Sequence, residues 1–226
     1  KVTQMNKEIV IIGAGFAGMW AALSAARLAK LTQAESISIS VIAPIAELRV
    51  RPRLYEENVS SMIAPLIPVF NTMDVQFITG SVNNIDSDSQ TIHYLDENQL
   101  PQFKQYDRLV LASGSNLRTD LVNGIDHYAF NLDQIDTAAT LEQHLKSLAQ
   151  KPASLSRNTV IVCGGGFTGI EMATELPARL KAMFGEDEDI NVIVVERNEQ
   201  IGSNYSPELQ AVIKQASDEL GITWML

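Results

Sequence analysis

Two glycine-rich turns hold the residue types and spacing through which this chain could do chemistry. Gly13-Ala14-Gly15-Phe16-Ala17-Gly18 follows the apolar run Glu8-Ile9-Val10-Ile11-Ile12, and Gly164-Gly165-Gly166-Phe167-Thr168-Gly169 follows Thr159-Val160-Ile161-Val162-Cys163. Each opens a segment of helical composition, Met19 to Leu28 in the first copy and Phe167 to about Phe184 in the second. Strand, tight turn and helix in that order make a cradle for a diphosphate. Gly13 permits the turn, Gly15 has no Cβ to hold the backbone away from a pyrophosphate, and Gly18 lets helix and sheet approach closely; Gly164, Gly166 and Gly169 repeat the pattern. The helix N-terminus adds free N–H groups and a partial positive charge. Two copies in full context predict two bound dinucleotides.

The strands that follow each unit decide what the far end of a dinucleotide would meet. Ile190-Asn191-Val192-Ile193-Val194-Val195 reads as a buried strand ending at Glu196, whose carboxylate can accept hydrogen bonds from an adenosine ribose and would repel a 2′-phosphate. The second site is therefore expected to prefer NADH to NADPH, with the adjacent Arg197 offsetting part of that preference. In the first unit Ser36 to Ile42 alternates at period two but ends in Ala43-Pro44, so the acidic ribose partner expected about 20 residues beyond the glycines is missing; Glu47 could substitute from the following loop. Arg49, Arg51 and Arg53 gather around Pro52, a cluster that suits a pyrophosphate or a flavin edge and equally suits a solvated basic loop. On the second helix Phe167, Glu171 and Glu175 fall at i, i+4 and i+8, one face with an aromatic ring and two carboxylates. Pro177 is expected to kink that helix or end it early.

Around these residues the pattern is α/β. Val75 to Tyr94 reads as short strands interrupted at Gly80-Ser81 and by a polar hairpin from Asn83 to Gln90, a small β-meander; a helix-like segment containing Pro65 and Pro68 precedes it. Tyr106 to Ser115 reads as a buried strand ending in the small residues Ala112, Ser113 and Gly114, Leu132 to Leu148 has helical spacing, and a helix over Pro207 to Leu220 leads to a last strand at Gly221 to Leu226. The expected architecture is two Rossmann-like three-layer domains with a meander insertion, residues 1–118 and 119–226, the second incomplete.

Composition narrows the function classes. Hydrophobic residues make up 46% of the 226 and charged residues 19%, a globular balance, and a net charge of −10 without a Lys/Arg cluster argues against nucleic-acid binding. No apolar run approaches the roughly 18 residues that read as a membrane span, and Lys1 to Lys7 lack the apolar stretch of a signal peptide. A cytoplasmic or membrane-peripheral protein is expected. The single cysteine, Cys163, allows no intrachain disulfide or CxxC pair and is expected in the core. His93, His127 and His144 lack ligand-like spacing, so no metal site is expected, and no G-x-S-x-G elbow follows a strand.

Two fingerprints with a meander and Leu109-Val110-Leu111-Ala112-Ser113-Gly114 between them resemble the pyridine nucleotide-disulfide oxidoreductase superfamily, over nearly the whole chain. Arg51-Pro52-Arg53-Leu54-Tyr55-Glu56 and the run from Gly164 to Leu176 look most like its type II NADH dehydrogenases. The disulfide-reducing branches need a cysteine pair this chain lacks, and Cys163 does not match the cysteine contexts of sulfide–quinone reductases. The resemblance implies FAD in the first domain and NAD(H) in the second. Hydride would pass from nicotinamide C4 to flavin N5, and electrons would go on to a quinone-type acceptor. It implies cofactor contacts at Gly13, Gly15, Phe16, Ala17, Gly18, Arg51, Arg53, Val82, Ala112, Ser113 and Gly114 in the FAD set, and at Gly164, Gly166, Phe167, Thr168, Gly169 and Glu196 in the NADH set, with Glu175 as the catalytic carboxylate. It further implies an N-terminal piece of a longer protein, whose remainder would supply a peripheral seat on the inner face of the membrane and an oligomer contact. Two other readings stay open: a reductase of the same architecture serving ferredoxin, rubredoxin or oxygen, and a non-enzymatic nucleotide-binding module.

Overall fold

The computed structural model describes residues 6–34, 36–120 and 122–226; residues 1–5 of the stretch inspected for a leader lie outside them. By contact the chain forms two units, one made of the stretch ending at Arg49 with Ile63–Leu117, the other of Val50–Met62 with Arg118–Leu226.

In the first unit β1 (Lys7–Ile12) takes an interior place, and its apolar residues are buried on both faces. α1 (Phe16–Leu31) returns the chain to β2 (Ile37–Ala43), which pairs parallel with β1. A short antiparallel pair, β3 (Glu47–Arg49) and β4 (Ile63–Pro65), precedes α2 (Ile67–Thr72). β5 (Gln76–Asp86), β6 (Thr91–Asp96), β7 (Pro101–Gln105) and β8 (Arg108–Leu111) complete a six-stranded sheet in the order β7-β6-β5-β2-β1-β8. Strands β5, β2, β1 and β8 are parallel, the nucleotide-binding half order, while β6 and β7 run antiparallel. Alternation along β1 sends Ile11 towards α1 and α2, with Ala22, Val41 and Phe70, and sends Val10 and Ile12 to the opposite face with Ile42, Ile92, Val82 and Tyr94. Helices thus cover one face and the meander the other.

The meander departs from expectation at Gly80-Ser81, where β5 continues without a turn. Gln76 to Thr79 pair with β2, and from Gly80 the same strand pairs antiparallel with β6, with a register shift between Val82 and Asn84. Gly80 serves close packing there, since a Cβ would lie 2.5 Å from the Tyr94 ring.

The second unit begins with 3₁₀ turns at Arg51–Arg53 and Val59–Met62, whereas the helix-like segment expected around Pro65 and Pro68 divides in the first unit into β4, which ends at Pro65, and α2, which contains Pro68. It continues through α3 (Ile125–Tyr128), α4 (Ile135–Leu148), β9 (Thr159–Cys163), α5 (Phe167–Phe184), β10 (Asn191–Val195), α6 (Pro207–Glu219) and β11 (Thr223–Met225). Its sheet is parallel throughout, ordered β11-β10-β9. Val160, Val162, Val192, Val194 and Trp224 pack with Leu145, Met172, Leu176 and Leu180, whereas Ile161, Cys163, Val195 and Met225 alternate onto an exposed face. Cys163 is therefore exposed and not a core residue, a correction that follows from strand parity. α5 also runs unbroken past Pro177. Pro177 lies among the buried residues Met172, Ala173, Leu176 and Leu180, and that packing offsets the backbone hydrogen bond the ring removes.

A polar knot fastens the end of this unit opposite the glycine turn. Arg157, with 7% of its side chain exposed, pairs with Glu188 at 2.6 Å, donates from Nε to Asn158 Oδ1 at 2.8 Å and lies 4.6 Å from the Phe184 ring centroid. Asn158 in turn donates to Glu188 Oε2 at 2.8 Å. Replacing Arg157 by Met would strand these acceptors, and we expect a loss of about 3 kcal/mol in a urea titration; an unshifted midpoint would show the knot to be dispensable.

Candidate functional site

In the first unit Gly13 takes φ +100°, a conformation that disfavours side chains, and a Cβ there would lie 2.2 Å from the Ala112 carbonyl oxygen. A Cβ on Gly18 would lie 1.9 Å from the Gly13 carbonyl oxygen. Around Gly15 the space is open, with nothing within 4 Å of its Cβ position. Three glycines thus do three jobs: turn, open cradle and close packing. No side chain caps α1, which leaves the first-turn N–H groups at Phe16, Ala17 and Gly18 directed outward. The fold brings Ala112 and Ser113 against Gly13, and Gly114 follows with φ +72°. Val82, in β5, lies half-buried on the sheet face that carries Val10 and Ile12.

The second unit repeats this geometry. Gly164 takes φ +109°, a Cβ on Gly169 would lie 1.9 Å from the Gly164 carbonyl oxygen, and nothing lies within 4 Å of one on Gly166. Phe167 and Thr168 are exposed at the start of α5, which no side chain caps, and the Phe167 ring stands 4.7 Å from that of Tyr205. A cleft of about 310 Å³ lined by Gly164, Val195, Glu196 and Arg197 opens at the ends of β9 and β10. Open space at an uncapped helix N-terminus fits a diphosphate in both units.

Glu196 is built into this turn. Oε2 accepts the Gly165 N–H at 2.7 Å, and Oε1 accepts the Asn198 N–H at 3.0 Å and its Nδ2 at 2.8 Å. The backbone N–H groups of Asn198 and then Gly165 hold its carboxyl below the ordinary 4.5. A carboxyl with a depressed value in the folded state adds stability above its unfolded value and loses it as pH falls through the folded one. We therefore expect an acid transition below pH 4.5 in the fluorescence of Trp224, whose ring packs at Gly165, and expect Glu196→Gln to remove it. An identical acid titration in the variant would refute this tie.

The arginines divide between the units. Arg49 pairs with Glu47 at 3.2 Å in the first, which also engages the substitute ribose acid. Arg51 pairs with Asp133 and Arg53 with Glu56 in the second. Glu171 and Glu175 lie half-buried on α5, where their charges reach Tyr55. Sequence reading did not single out Asn198 or Trp224, which brace the second turn, or Tyr55 and Arg179; a charged residue inside the apolar stripe of α5 was the available signal for Arg179.

The pyridine nucleotide-disulphide oxidoreductase model matches residues 7–226. The chain belongs to that family of oxidoreductases. It is 37% identical over 221 residues to an NADH dehydrogenase-like protein of Mycobacterium tuberculosis, covering 95% of this chain and 54% of that protein. It is 29% identical over 222 residues to a type II NADH:quinone oxidoreductase of Staphylococcus haemolyticus, covering 92% and 53%. Among solved structures, NDH2 from Plasmodium falciparum in complex with NADH superposes with a TM-score of 0.80 at 19% identity, over 97% of this chain and 48% of that one, and so shares the fold. The chain spans about half the length of the curated relatives it matches. No helix among the described residues is long and apolar enough to cross a membrane, and no group of three metal-binding side chains occurs among them.

Proposed function

We propose that the full-length protein oxidises NADH through FAD and delivers the electrons to a quinone-type acceptor. The observation that carries this reading is the pair of open cradles, at Gly15 and Gly166, each at an uncapped helix N-terminus. Relatives named for NADH dehydrogenation and quinone reduction support it.

In this reading residues 1–118 supply the FAD domain, apart from the segment Val50–Met62 that packs with the second unit, and 119–226 supply the NADH domain. Gly13, Gly15, Phe16, Ala17 and Gly18 hold one pyrophosphate, with Ala112, Ser113, Gly114 and Val82 beside the same cofactor. Gly164, Gly166, Phe167, Thr168 and Gly169 hold the other, and Glu196 accepts from the adenosine ribose. Arg51 and Arg53 supply positive charge from the segment that packs with the second unit. Bound flavin supplies the two-electron acceptor for the nicotinamide hydride and the donor to the quinone. The chain's own task is to orient its ligands and keep water out, with Glu175 the carboxylate placed to hold or move a proton. A quinone dissolved in a bilayer requires the complete protein to meet the membrane peripherally. Anaerobic NADH added to the full-length protein should bleach its oxidised flavin absorbance, and a quinone should restore it. A spectrum that NADH leaves unchanged would reject the reading.

A further inference from the structure

The second glycine turn contains a glycine that its backbone conformation does not require. Gly165 takes no positive φ, yet a Cβ there would lie 2.7 Å from Trp224 Cζ3 and 3.0 Å from Glu196 Oε2. In the first unit the matching place is held by Ala14, which is buried, and Ala43 stands at the register position that Glu196 holds in the second. A side chain is therefore tolerated where the strand ends in alanine and excluded where it ends in glutamate. What fills the space beside Gly165 is an indole edge and a carboxylate, on one side of the turn. An aromatic edge is the positive rim of its ring and suits a neighbouring anion.

The indole is tethered at its other side. Its Nε1 donates to Ser217 Oγ at 3.0 Å, and Ser217, 2% exposed on α6, donates in turn to the Ile213 carbonyl at 2.8 Å. The ring packs against the cluster of Met172, Leu176 and Val194. In the first unit Phe77 has the register place of Trp224 and stacks on Phe70 with centroids 6.2 Å apart, a contact that leaves no donor to satisfy. The Trp224 N–H adds a fixed direction to that packing. Glu196 lines the cleft at the ends of β9 and β10 with Gly164, Val195 and Arg197. Asn198 donates twice to its Oε1 and Gly165 once to its Oε2, so the oxygen beside the ring is the less engaged of the two.

We propose that Trp224, tethered by Ser217, is a positioning residue that holds Glu196 against the Gly165 turn with Oε2 ready to accept from a ribose hydroxyl at the cleft, and so sets how strongly the site refuses a 2′-phosphate. This inference rests on the proposed assignment of Glu196 to the adenosine ribose. It adds two residues that act on the ligand only through that carboxylate.

Adenosine diphosphate ribose, which binds without reacting, and its 2′-phosphorylated form are the probes, titrated calorimetrically into the full-length, FAD-loaded protein. Trp224→Leu should weaken adenosine diphosphate ribose about tenfold, the worth of one hydrogen bond to a charged group, and weaken the 2′-phosphorylated form less, so that discrimination between the two shrinks. Equal losses for both would make Trp224 a packing residue and overturn the proposal. Ser217→Ala keeps the ring and removes only its tether, so the same ratio should move in the same direction by about threefold; an unmoved ratio would overturn the part given to Ser217. In a Glu196→Gln background Trp224→Leu should cost little more, because its effect passes through the carboxylate, and full additivity would refute that route. Gly165→Ala should lower the thermal midpoint and regain part of it once Trp224→Leu is added; no regain would mean that the ring does not set the space beside Gly165. Adenosine diphosphate ribose that fails to bind the wild type would reject the dinucleotide site itself, whereas binding without the coupling overturns only the role of Trp224. A flavin that NADH fails to bleach would reject the reaction and leave the ribose contact standing.

Discussion

Gly166→Val is expected to weaken NADH binding severely and leave the second unit folded, while the smaller change Gly169→Ala destabilises the fold itself. Both are glycines of one turn. The space at Gly166 is open and its backbone, φ −76° and ψ 178°, suits any residue, so a valine fits the protein but fills the cradle. Losing two charge-assisted hydrogen bonds from backbone N–H groups to a diphosphate should weaken binding by roughly 100-fold or more. At Gly169 a methyl would meet the Gly164 carbonyl oxygen at 1.9 Å, and relieving that clash costs roughly 3 kcal/mol. Calorimetric titration with NADH and thermal melts of both variants give the comparison. NADH bound by Gly166→Val with wild-type affinity would mean that no diphosphate lies over this turn.

Glu175→Gln is expected to lower turnover on the order of 100-fold with NADH affinity and stability intact, the range lost when a positioned proton acceptor is removed. Glu171→Gln should cost less. Glu171 stands one turn nearer the helix start, where an anion is favoured by the dipole but competes with a diphosphate. Both are half-buried, so the isosteric amides, which keep side-chain size and shape, test chemistry with little disturbance of packing. Steady-state rates with NADH and a quinone, alongside NADH dissociation constants, check the pair. Equal losses in the two variants would remove Glu175 from its assigned role and leave only a shared electrostatic effect.

Local rules made both cradles legible. Positive φ at Gly13 and Gly164, and the near contacts at Gly18 and Gly169, are demands a backbone makes within six residues, so residue type alone reveals them. Strand parity was harder to read. The runs Val160–Cys163 and Val192–Val195 are apolar throughout, the signature of strands covered on both faces, yet only one face is covered among the described residues. Cys163 was misplaced for that reason. The strand β7 escaped notice because Pro101-Gln102-Phe103-Lys104-Gln105 is short, mostly polar and paired on one edge.

The sequence by itself determined the two strand–turn–helix units, the glycine at each strained position and the carboxylate at the end of β10, because each depends on neighbours along the chain. Tertiary structure alone decided that Val50–Met62 leaves the unit flanking it in sequence and packs with α5, that Pro177 stays inside a continuous helix, and that Glu196 ties down Gly165. These outcomes depend on groups distant in sequence, whose burial and hydrogen bonds outweigh local propensity only after the chain has folded.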